Sequence, residues 1–316
     1  MEKQLNHVAF VFPGQGSQSV GMLAELAGAS PEAQRVFSKA SDVLDFDLWR
    51  LIQDGPEEQL NLTANTQPAM LAAGVAVWEA WCAQSDIRPG WMAGHSLGEY
   101  TALVCSGALR FEDALSLVRE RARFMQEAVP PGSGAMAAIL GLESPQIVAI
   151  CNEISSADFL VRPANFNAPG QIVIAGHAEA VARAMEAAKA AGAKRALPLP
   201  VSVPSHCPLM QEAADRLFDV LENTPVESPD TVVVHNADVG THTAPEVIRH
   251  ILAQQLSNPV RWVESVRFMH EQGVVLFLEL GPGKILTGLN KRIAPDCTAH
   301  CIHDNKSLEE ALEMFR

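Results

Sequence analysis

The chain has 316 residues, of which 48% are hydrophobic and 19% charged, and its formal net charge is −14. This length allows one large domain with a sizeable core, or a domain with a smaller one inserted in it. The negative charge argues against non-specific nucleic-acid binding, which depends on Lys and Arg neutralising phosphates. The N-terminus lacks the pattern of a signal peptide, and no run approaches ~18 consecutive apolar residues, so we expect no membrane span. Six scattered cysteines then predict reduced thiols and a cytoplasmic location.

The first elements predicted along the chain are a strand and two helices. The strand covers HVAFVF at 7–12 and leads into the glycine-rich turn PGQGSQ. Helical patterns follow at 31–53 and at 67–84, the second with Thr66 as its cap and Pro68 in its first turn. A short apolar run, WMAG, then precedes GHSLGEY at 94–100, and a helical pattern follows it. Strand, turn and helix form the context that a G-x-S-x-G nucleophile requires.

The segment from about 134 to 203 predicts a different organisation. It contains, in order, a strand, a helix with Ser144 as its cap, two strands joined by the turn NAPG, a helix ending at Gly192, and a strand. This β-α-β-β-α-β order is that of the split, ferredoxin-like arrangement. Alternating helices and strands then return, ending with the buried-looking strand at 274–280. We therefore predict an α/β domain formed by residues 1–130 and 201–316, interrupted by an inserted small domain at 131–200.

Ser96 is the candidate nucleophile. A serine hydroxyl is a weak nucleophile at neutral pH, so it needs a base that takes its proton and donors that hold the oxyanion formed on attack. Gly94 and Gly98 allow the strand and helix to approach closely, and the main-chain N–H of Leu97 is the natural oxyanion donor. The alternative is a glycine-rich helix entry in which the serine is only a cap.

His206 is the best candidate for the base. It lies in VPSHCPLM between Pro204 and Pro208, a rigid loop just after the predicted inserted domain, whereas His95 adjoins Ser96 and its side chain should diverge from it around the turn. The alternative is a surface histidine. No acid between 96 and 206 stands where a hydrolase triad would place one, which counts against the ordinary α/β-hydrolase mechanism.

Two glycine-rich turns invite a nucleotide-binding interpretation that their spacing does not support. FPGQGSQ has Gly14 and Gly16 but lacks the third glycine of G-x-G-x-x-G, and GPGK at 281–284 lacks the first glycine and the final Ser/Thr of a Walker loop. A turn such as the first can instead provide a backbone N–H to an oxyanion.

Arg121 lies on the apolar side of a predicted helix at 111–129. Projected at 100° per residue, the apolar stripe includes Val118 and Leu117, and Arg121 falls between their directions. An inward arginine must be paired, and its planar fork suits a carboxylate. The partner is either an internal Asp or Glu, or the free carboxylate of a dicarboxylic acyl substrate.

The run CTAHCIHD at 297–304 contains Cys297, His300, Cys301 and His303. Structural zinc sites usually combine two separated pairs of ligands, whereas this is one run near the C-terminus. We favour chance composition over a metal site and predict no metal and no cofactor.

Seven motifs in order resemble malonyl-CoA:acyl carrier protein transacylases of bacterial fatty-acid synthesis. They extend over about residues 8–293 with the spacing expected of that family. They are FPGQGSQ, GHSLGEY, RERARFMQEAVP, NFNAPGQIVIAG, PLPVSVPSHCPLM, NPVRW and ELGPGKILTGLNKRI. The resemblance implies an α/β fold, with a hydrolase-like large domain built on a parallel sheet and a ferredoxin-like insert.

The resemblance also implies a ping-pong transfer of a malonyl group from malonyl-CoA to the phosphopantetheine thiol of acyl carrier protein, by a protein expected to be a monomer. Ser96 would form the malonyl ester, His206 would be base and then acid, and the main-chain carbonyl of Gln255 would orient His206. Main-chain N–H groups of Gln15 and Leu97 would form the oxyanion hole. The implied substrate-binding residues are Arg121, His95 and Asn165.

An acidic carrier protein would need a local basic patch on this acidic chain. The candidates are Lys284, Lys291 and Arg292, or Lys194 and Arg195, and the alternative is that these are scattered solubility charges. Two other functions stay open at this point, a serine hydrolase or thioesterase and a non-catalytic module that binds acyl carrier protein.

Overall fold

The computed structural model describes residues 3–201 and 203–316, leaving Met1, Glu2 and Ser202 outside the description. Its strands are β1 (Lys3–Phe12), β2 (Ile87–Gly94), β3 (Gly134–Leu140), β4 (Val161–Ala168), β5 (Gln171–His177), β6 (Arg195–Pro198), β7 (Val232–Val234), β8 (Leu276–Leu280) and β9 (Thr298–Ile302). Its α-helices are α1 (Ala24–Ala29), α2 (Pro31–Leu44), α3 (Leu48–Asp54), α4 (Glu57–Leu60), α5 (Thr63–Cys82), α6 (Gly98–Cys105), α7 (Phe111–Glu127), α8 (Ser144–Ile154), α9 (Ala178–Ala190), α10 (Gln211–Glu222), α11 (Pro245–Ser257), α12 (Trp262–Glu271), α13 (Ile285–Ile293) and α14 (Asn305–Glu313).

A parallel sheet with the strand order β7-β2-β1-β8-β9 forms the centre of the larger unit. Side chains alternate between the two faces of a strand, so β1 contributes to two cores. Phe10 and Phe12 join the core built with α2, α5 and α7, whereas Ala9 and Val11 face the core built with α12 and α13. Helices therefore cover both faces, which explains why the first strand is apolar at consecutive positions.

A second, antiparallel sheet has the strand order β4-β5-β3-β6. The predicted β-α-β-β-α-β element order of this segment is confirmed, with α8 and α9 as its helices. One face packs against these helices through residues such as Ile139 and Ile174. The other face carries Met136 and Val173 and packs against Cys207, the neighbour of His206. The mixed α/β class is confirmed, and the boundaries at 130/131 and 200/201 stay predictions.

Backbone hydrogen bonds join the two sheet units beside the cleft between them. The N–H of Phe166 donates to the carbonyl of Val260 over 2.9 Å, and the N–H of Val260 donates to the carbonyl of Ala164 over 2.9 Å. The residue between these two on β4, Asn165, is thereby fixed at the edge of the cleft.

Three details of the predicted helices are wrong. The helix expected at 31–53 is interrupted, because Asp45 adopts a left-handed φ of 60° at the end of α2 and Asp47 caps α3. The helix α5 begins at Thr63, and Thr66 is not its cap, since its hydroxyl donates to the carbonyls of Leu60 and Leu62.

The third error concerns the start of α8. Glu143 is the N-cap and Ser144 is the first helical residue, because the Glu143 carboxylate and the Gln146 side chain form a capping box.

Over residues 3–201 and 203–316, none of the helices has both the length and the apolar character that crossing a bilayer requires.

Candidate active site

Ser96 lies in a sharp turn between the end of β2 and the start of α6. Its backbone adopts φ 52°, a left-handed conformation that costs free energy in a residue other than glycine. The turn requires glycine on both sides. A Cβ on Gly94 would lie 1.8 Å from the carbonyl carbon of Gly98, and one on Gly98 would lie 2.0 Å from the carbonyl oxygen of Phe12. The G-x-S-x-G spacing therefore reflects close backbone contact.

His206 contacts Ser96 directly. Its Nε2 lies 2.7 Å from the Ser96 Oγ, and its Nδ1 lies 2.8 Å from the main-chain oxygen of Gln255. A carbonyl can only accept, so Nδ1 carries the proton and Nε2 is left to accept from the serine hydroxyl. Burial, followed by the positive charge of Arg121, lowers the pKa of His206 to about 3. The imidazole is therefore neutral at pH 7, as a base must be.

Arg121 is fully buried, which confirms its predicted inward direction. Its Nη1 donates to the Gln67 Oε1 over 2.8 Å, and its Nη2 donates to the Gln255 Oε1 over 2.9 Å and to the Ser96 Oγ over 3.2 Å. Among the described residues, no carboxylate lies within ion-pair distance of this guanidinium, so the internal acid considered as its alternative partner is not there. The nearest partners are neutral amides, and the charge faces the reactive hydroxyl.

Two main-chain N–H groups near Ser96 are without an acceptor in the part of the chain that the structure describes. One belongs to Leu97, the residue before the first turn of α6, and the other belongs to Gln15 in the loop after β1. The loop packs tightly on the turn, since a Cβ on Gly14 would lie 2.4 Å from the main-chain oxygen of His95. Gln15 and Ser96 line the same cavity, of about 200 Å³.

His95 and Asn165 also line this cavity, and His95 does not contact the Ser96 hydroxyl as a base would. The His95 Nε2 lies 2.8 Å from the Asn167 Oδ1, and its ring packs against Trp262. Burial lowers the pKa of His95, so the ring is neutral at pH 7. The rest of the lining comes from both sheet units and includes apolar side chains such as Met136.

Comparison with known proteins decides the family. Residues 9–294 match the model of the acyl transferase domain family. Malonyl CoA-acyl carrier protein transacylase of Escherichia coli strain K12 is 54% identical over 310 residues, covering 98% of this chain and 100% of that protein. The chain belongs to the malonyl-CoA–acyl carrier protein transacylases.

Solved structures agree with this assignment. A crystal structure of an acyl carrier protein S-malonyltransferase from Vibrio cholerae has a TM-score of 0.94 at 51% identity, covering 96% of this chain and 99% of that one. A second structure is the PlMCAT:AntF (holo) complex, described as a type II PKS acyl-carrier protein in complex with its malonyl-transacylase. The matching chain has a TM-score of 0.96 at 56% identity. It covers 98% of this chain and 99% of that one. The family predicted by resemblance is therefore confirmed.

Sequence reasoning missed four polar side chains that build the site in the structure. Gln67 and the side chain of Gln255 hold Arg121, Asn167 holds His95, and Asn236 accepts from the main-chain N–H of Ser96 over 2.6 Å. Gln67 lies one position before Pro68 in an apolar helix that is buried almost throughout, and a polar residue there was a usable signal. Asn236 had none, because it reaches Ser96 across 140 residues of sequence.

The residues of the run 297–304 do not converge on one point. The group within the described residues that has metal-binding geometry consists of His270, Asp296 and Cys297, so it includes one member of the run. His300 instead contacts the main-chain oxygen of Ser307 over 3.0 Å. Strand β9 separates the side chains, since neighbours along a strand point to opposite faces.

Proposed function

We propose that this protein is a malonyl-CoA:acyl carrier protein S-malonyltransferase acting in fatty-acid or polyketide synthesis. The observation that carries the proposal is the guanidinium of Arg121, which is buried, is held by neutral amides and lies 3.2 Å from the Ser96 hydroxyl. A cation in this position favours an acyl group that ends in a carboxylate. Related proteins named for malonyl transfer, including the Escherichia coli transacylase, support the same substrate.

The first half-reaction forms a malonyl ester. His206 Nε2 takes the proton of Ser96 while its Oγ attacks the thioester carbonyl of malonyl-CoA. The tetrahedral intermediate collapses by breaking the carbon–sulfur bond, and the imidazolium returns the proton to the leaving thiolate, which releases CoA. The main-chain oxygen of Gln255 holds the Nδ1 proton throughout and stabilises the transient imidazolium.

The second half-reaction reverses these steps with another thiol. His206 takes the proton of the phosphopantetheine thiol of acyl carrier protein, the sulfur attacks the ester, and Ser96 leaves and regains the proton. In both halves, the N–H groups of Gln15 and Leu97 would donate to the oxyanion. Arg121 would hold the malonyl carboxylate, which orients the ester carbonyl for each attack.

His95 and Asn165 would bind substrate at the wall of the cavity. Both line the space beside Ser96, and a neutral His95 fixed by Asn167 offers a polar edge without a charge that would compete with Arg121. We also propose that the antiparallel unit is a ferredoxin-like insert, since its sheet order β4-β5-β3-β6 and its two helices on one face fit that arrangement.

For the carrier protein, we favour docking at Lys284, Lys291 and Arg292. Lys284 immediately follows Gly283, where a Cβ would lie 3.7 Å from the Ser17 Cβ, so this end of the patch lies near the loop that carries Gln15. In the alternative patch of Lys194 and Arg195, Arg195 is the strand partner of Leu140, the last residue of β3, whereas the cavity is lined by Met136 of that strand. Lys291→Glu should then raise the KM for carrier protein with little effect on malonyl-CoA, and Arg195→Glu is the matched control.

Intact-protein mass spectrometry after brief exposure to malonyl-CoA tests the proposal. We expect the mass increase of one malonyl group, its loss in Ser96→Ala, and its retention in Ser116→Ala, which changes an exposed serine on α7. Formation of the malonyl ester releases one CoA per enzyme, so continued release of CoA over many turnovers without carrier protein would instead indicate a hydrolase or thioesterase. Absence of labelling in the wild type would support a non-catalytic module that binds carrier protein.

A further inference from the structure

Glu99 is a fully buried carboxylate that the proposed reaction does not use. It lies in the first turn of α6, three residues after Ser96. Its Oε1 accepts from the His235 Nδ1 over 2.8 Å. Its Oε2 accepts from the main-chain N–H of Asn236 over 3.0 Å and from the Gln255 Nε2 over 2.8 Å. A buried carboxylate is costly unless it is compensated, so its partners indicate what it does.

The side-chain amide of Gln255 separates Glu99 from Arg121. The Nε2 donates to Glu99 and to the main-chain oxygen of Ser96 over 3.0 Å, whereas the Oε1 accepts from the Arg121 Nη2 over 2.9 Å. This orientation is fixed by chemistry, because both oxygens need a donor and the guanidinium needs an acceptor. The amide dipole is therefore aligned between a negative and a positive group.

The same carboxylate also organises the backbone of the reactive turn. Asn236, which Glu99 holds by its N–H, accepts from the N–H of Ser96 over 2.6 Å and donates to the carbonyl of Gly94 over 2.7 Å. Gln255 donates to the carbonyl of Ser96. Two amides anchored on one carboxylate thus hold both polar groups of a residue with a strained backbone.

In this network, Glu99 and Arg121 are each other's nearest groups of opposite charge. The described residues offer Arg121 no ion pair, and they offer Glu99 no Lys or Arg. The His235 ring donates to Glu99 through Nδ1, and its Nε2 is buried with no acceptor among the described residues, so a second N–H there would be unsatisfied. Burial lowers the pKa of Arg121, and Tyr100 and Glu99 oppose that shift.

We propose that Glu99 is the counter-charge of Arg121, held one amide away so that the guanidinium is balanced but not occupied. A carboxylate in direct contact would fill the fork that a substrate carboxylate needs, and no carboxylate at all would leave a buried cation uncompensated. Glu99 is thus a positioning residue for Ser96 and a specificity-determining residue for the acyl group. The second role rests on the proposed function, since it requires that Arg121 binds the malonyl carboxylate.

Glu99→Gln separates charge from hydrogen bonding. The amide oxygen of the new side chain can accept from Asn236 and Gln255, and its amide nitrogen can donate to His235 once the ring proton moves to Nε2. The variant therefore removes the negative charge while each partner of Glu99 keeps a hydrogen bond, at the cost of one buried N–H on His235 without an acceptor among the described residues. That cost is the same with or without Arg121, so it cancels in a double-mutant cycle. Because the charge also repels an incoming carboxylate, we expect the ratio of kcat/KM for malonyl-CoA over acetyl-CoA to rise, on the order of tenfold. Any loss of Ser96 positioning slows the reactions with malonyl-CoA and acetyl-CoA alike, so it cancels in this ratio.

A double-mutant cycle with Arg121→Met measures the balance of charge independently of catalysis. We expect Glu99→Gln to lower the urea midpoint in both backgrounds, but at least roughly twice as much in the wild type as in the Arg121→Met protein. Sodium malonate should restore the midpoint of Glu99→Gln more than that of the wild type. Glu279 is another fully buried carboxylate, and it accepts from the main-chain N–H groups of Leu286 and Thr287. Glu279→Gln is therefore the control, and its effect on the midpoint should be additive with that of Arg121→Met.

Additive stabilities together with an unchanged substrate ratio would overturn the proposal and leave Glu99 a purely structural residue. If Glu99→Gln does not fold, its rescue by Arg121→Met supports the proposal, and failure of the double variant to fold contradicts it. A wild type that malonyl-CoA does not label would refute the proposed function, whereas the stability cycle would still test the counter-charge.

Discussion

Replacing Arg121 with Met tests how this site selects its acyl group, and the donors left on the guanidinium set the size of the expected effect. A guanidinium has five N–H donors, of which three already donate, to Gln67, Gln255 and Ser96. The Nε–H is buried without an acceptor among the described residues, so it is one of the two that remain. A hydrogen bond to a charged group contributes about 1.5–3 kcal/mol. Two at the lower end give about 3 kcal/mol.

This free energy corresponds to a factor of roughly a hundred, because about 1.4 kcal/mol changes a rate or equilibrium constant tenfold. We therefore expect Arg121→Met to lower the ratio of kcat/KM for malonyl-CoA over acetyl-CoA roughly a hundredfold. Met fills most of the buried space, which limits loss of packing. Arg121→Lys, which keeps the charge but not the planar fork, should be intermediate.

The assay is rapid-quench acylation of Ser96 with each thioester, followed by intact-protein mass spectrometry. Arg123→Met is the matched control, because Arg123 lies on the same helix but is exposed and pairs with Glu120. An unchanged ratio in Arg121→Met would refute the reasoning, since it would mean that the guanidinium binds no part of the acyl group.

Further predictions concern pH and the reactive turn. Since burial and Arg121 lower the pKa of His206 to about 3, the acid limb of kcat/KM for acylation should lie well below pH 6.5 in a pH–rate profile. The unfolded state binds a proton at His206 below about pH 6.5, whereas the folded state does not until about pH 3. As the pH falls from 6.5 to 3, this histidine should therefore lower the free energy of unfolding by about 1.4 kcal/mol per pH unit. Urea unfolding of the wild type and of His206→Gln across this window measures the effect. Gly98→Ala should prevent folding or cost several kcal/mol, because its Cβ would lie 2.0 Å from the Phe12 oxygen; Gly288→Ala, with open space around it on α13, should be neutral or stabilising by about 0.5–1 kcal/mol in thermal unfolding.

The parts of the site that follow from local sequence could be predicted. The inward direction of Arg121 follows from helical periodicity, which fixes side-chain directions over a few turns. The turn at Ser96 follows from its two glycines. The prolines that flank His206 indicate a rigid loop, and the structure brings its ring within 2.7 Å of Ser96.

The polar network behind the site could not be predicted in the same way. Glu99 contacts Asn236 and Gln255 across 137 and 156 residues, and no local pattern encodes such pairings. One signal was present, because α6 is apolar and buried on nearly every side, so an acid within it had to be buried and satisfied. The break between α2 and α3 was missed for a related reason, since a single left-handed Asp45 interrupts a pattern that otherwise continues.

The electrostatics of this site couple recognition of the acyl group to the strength of the base. The positive charge of Arg121 lowers the pKa of His206, after the larger effect of burial. In the proposed reaction, a malonyl carboxylate bound to Arg121 offsets that charge, so the pKa of His206 rises when the correct acyl group is in place. A neutral acyl group brings no such compensation and meets a weaker base. If Arg121 binds the malonyl carboxylate as proposed, the same cation would also favour attack on the malonyl group, which would then gain twice over an acetyl group from one buried residue.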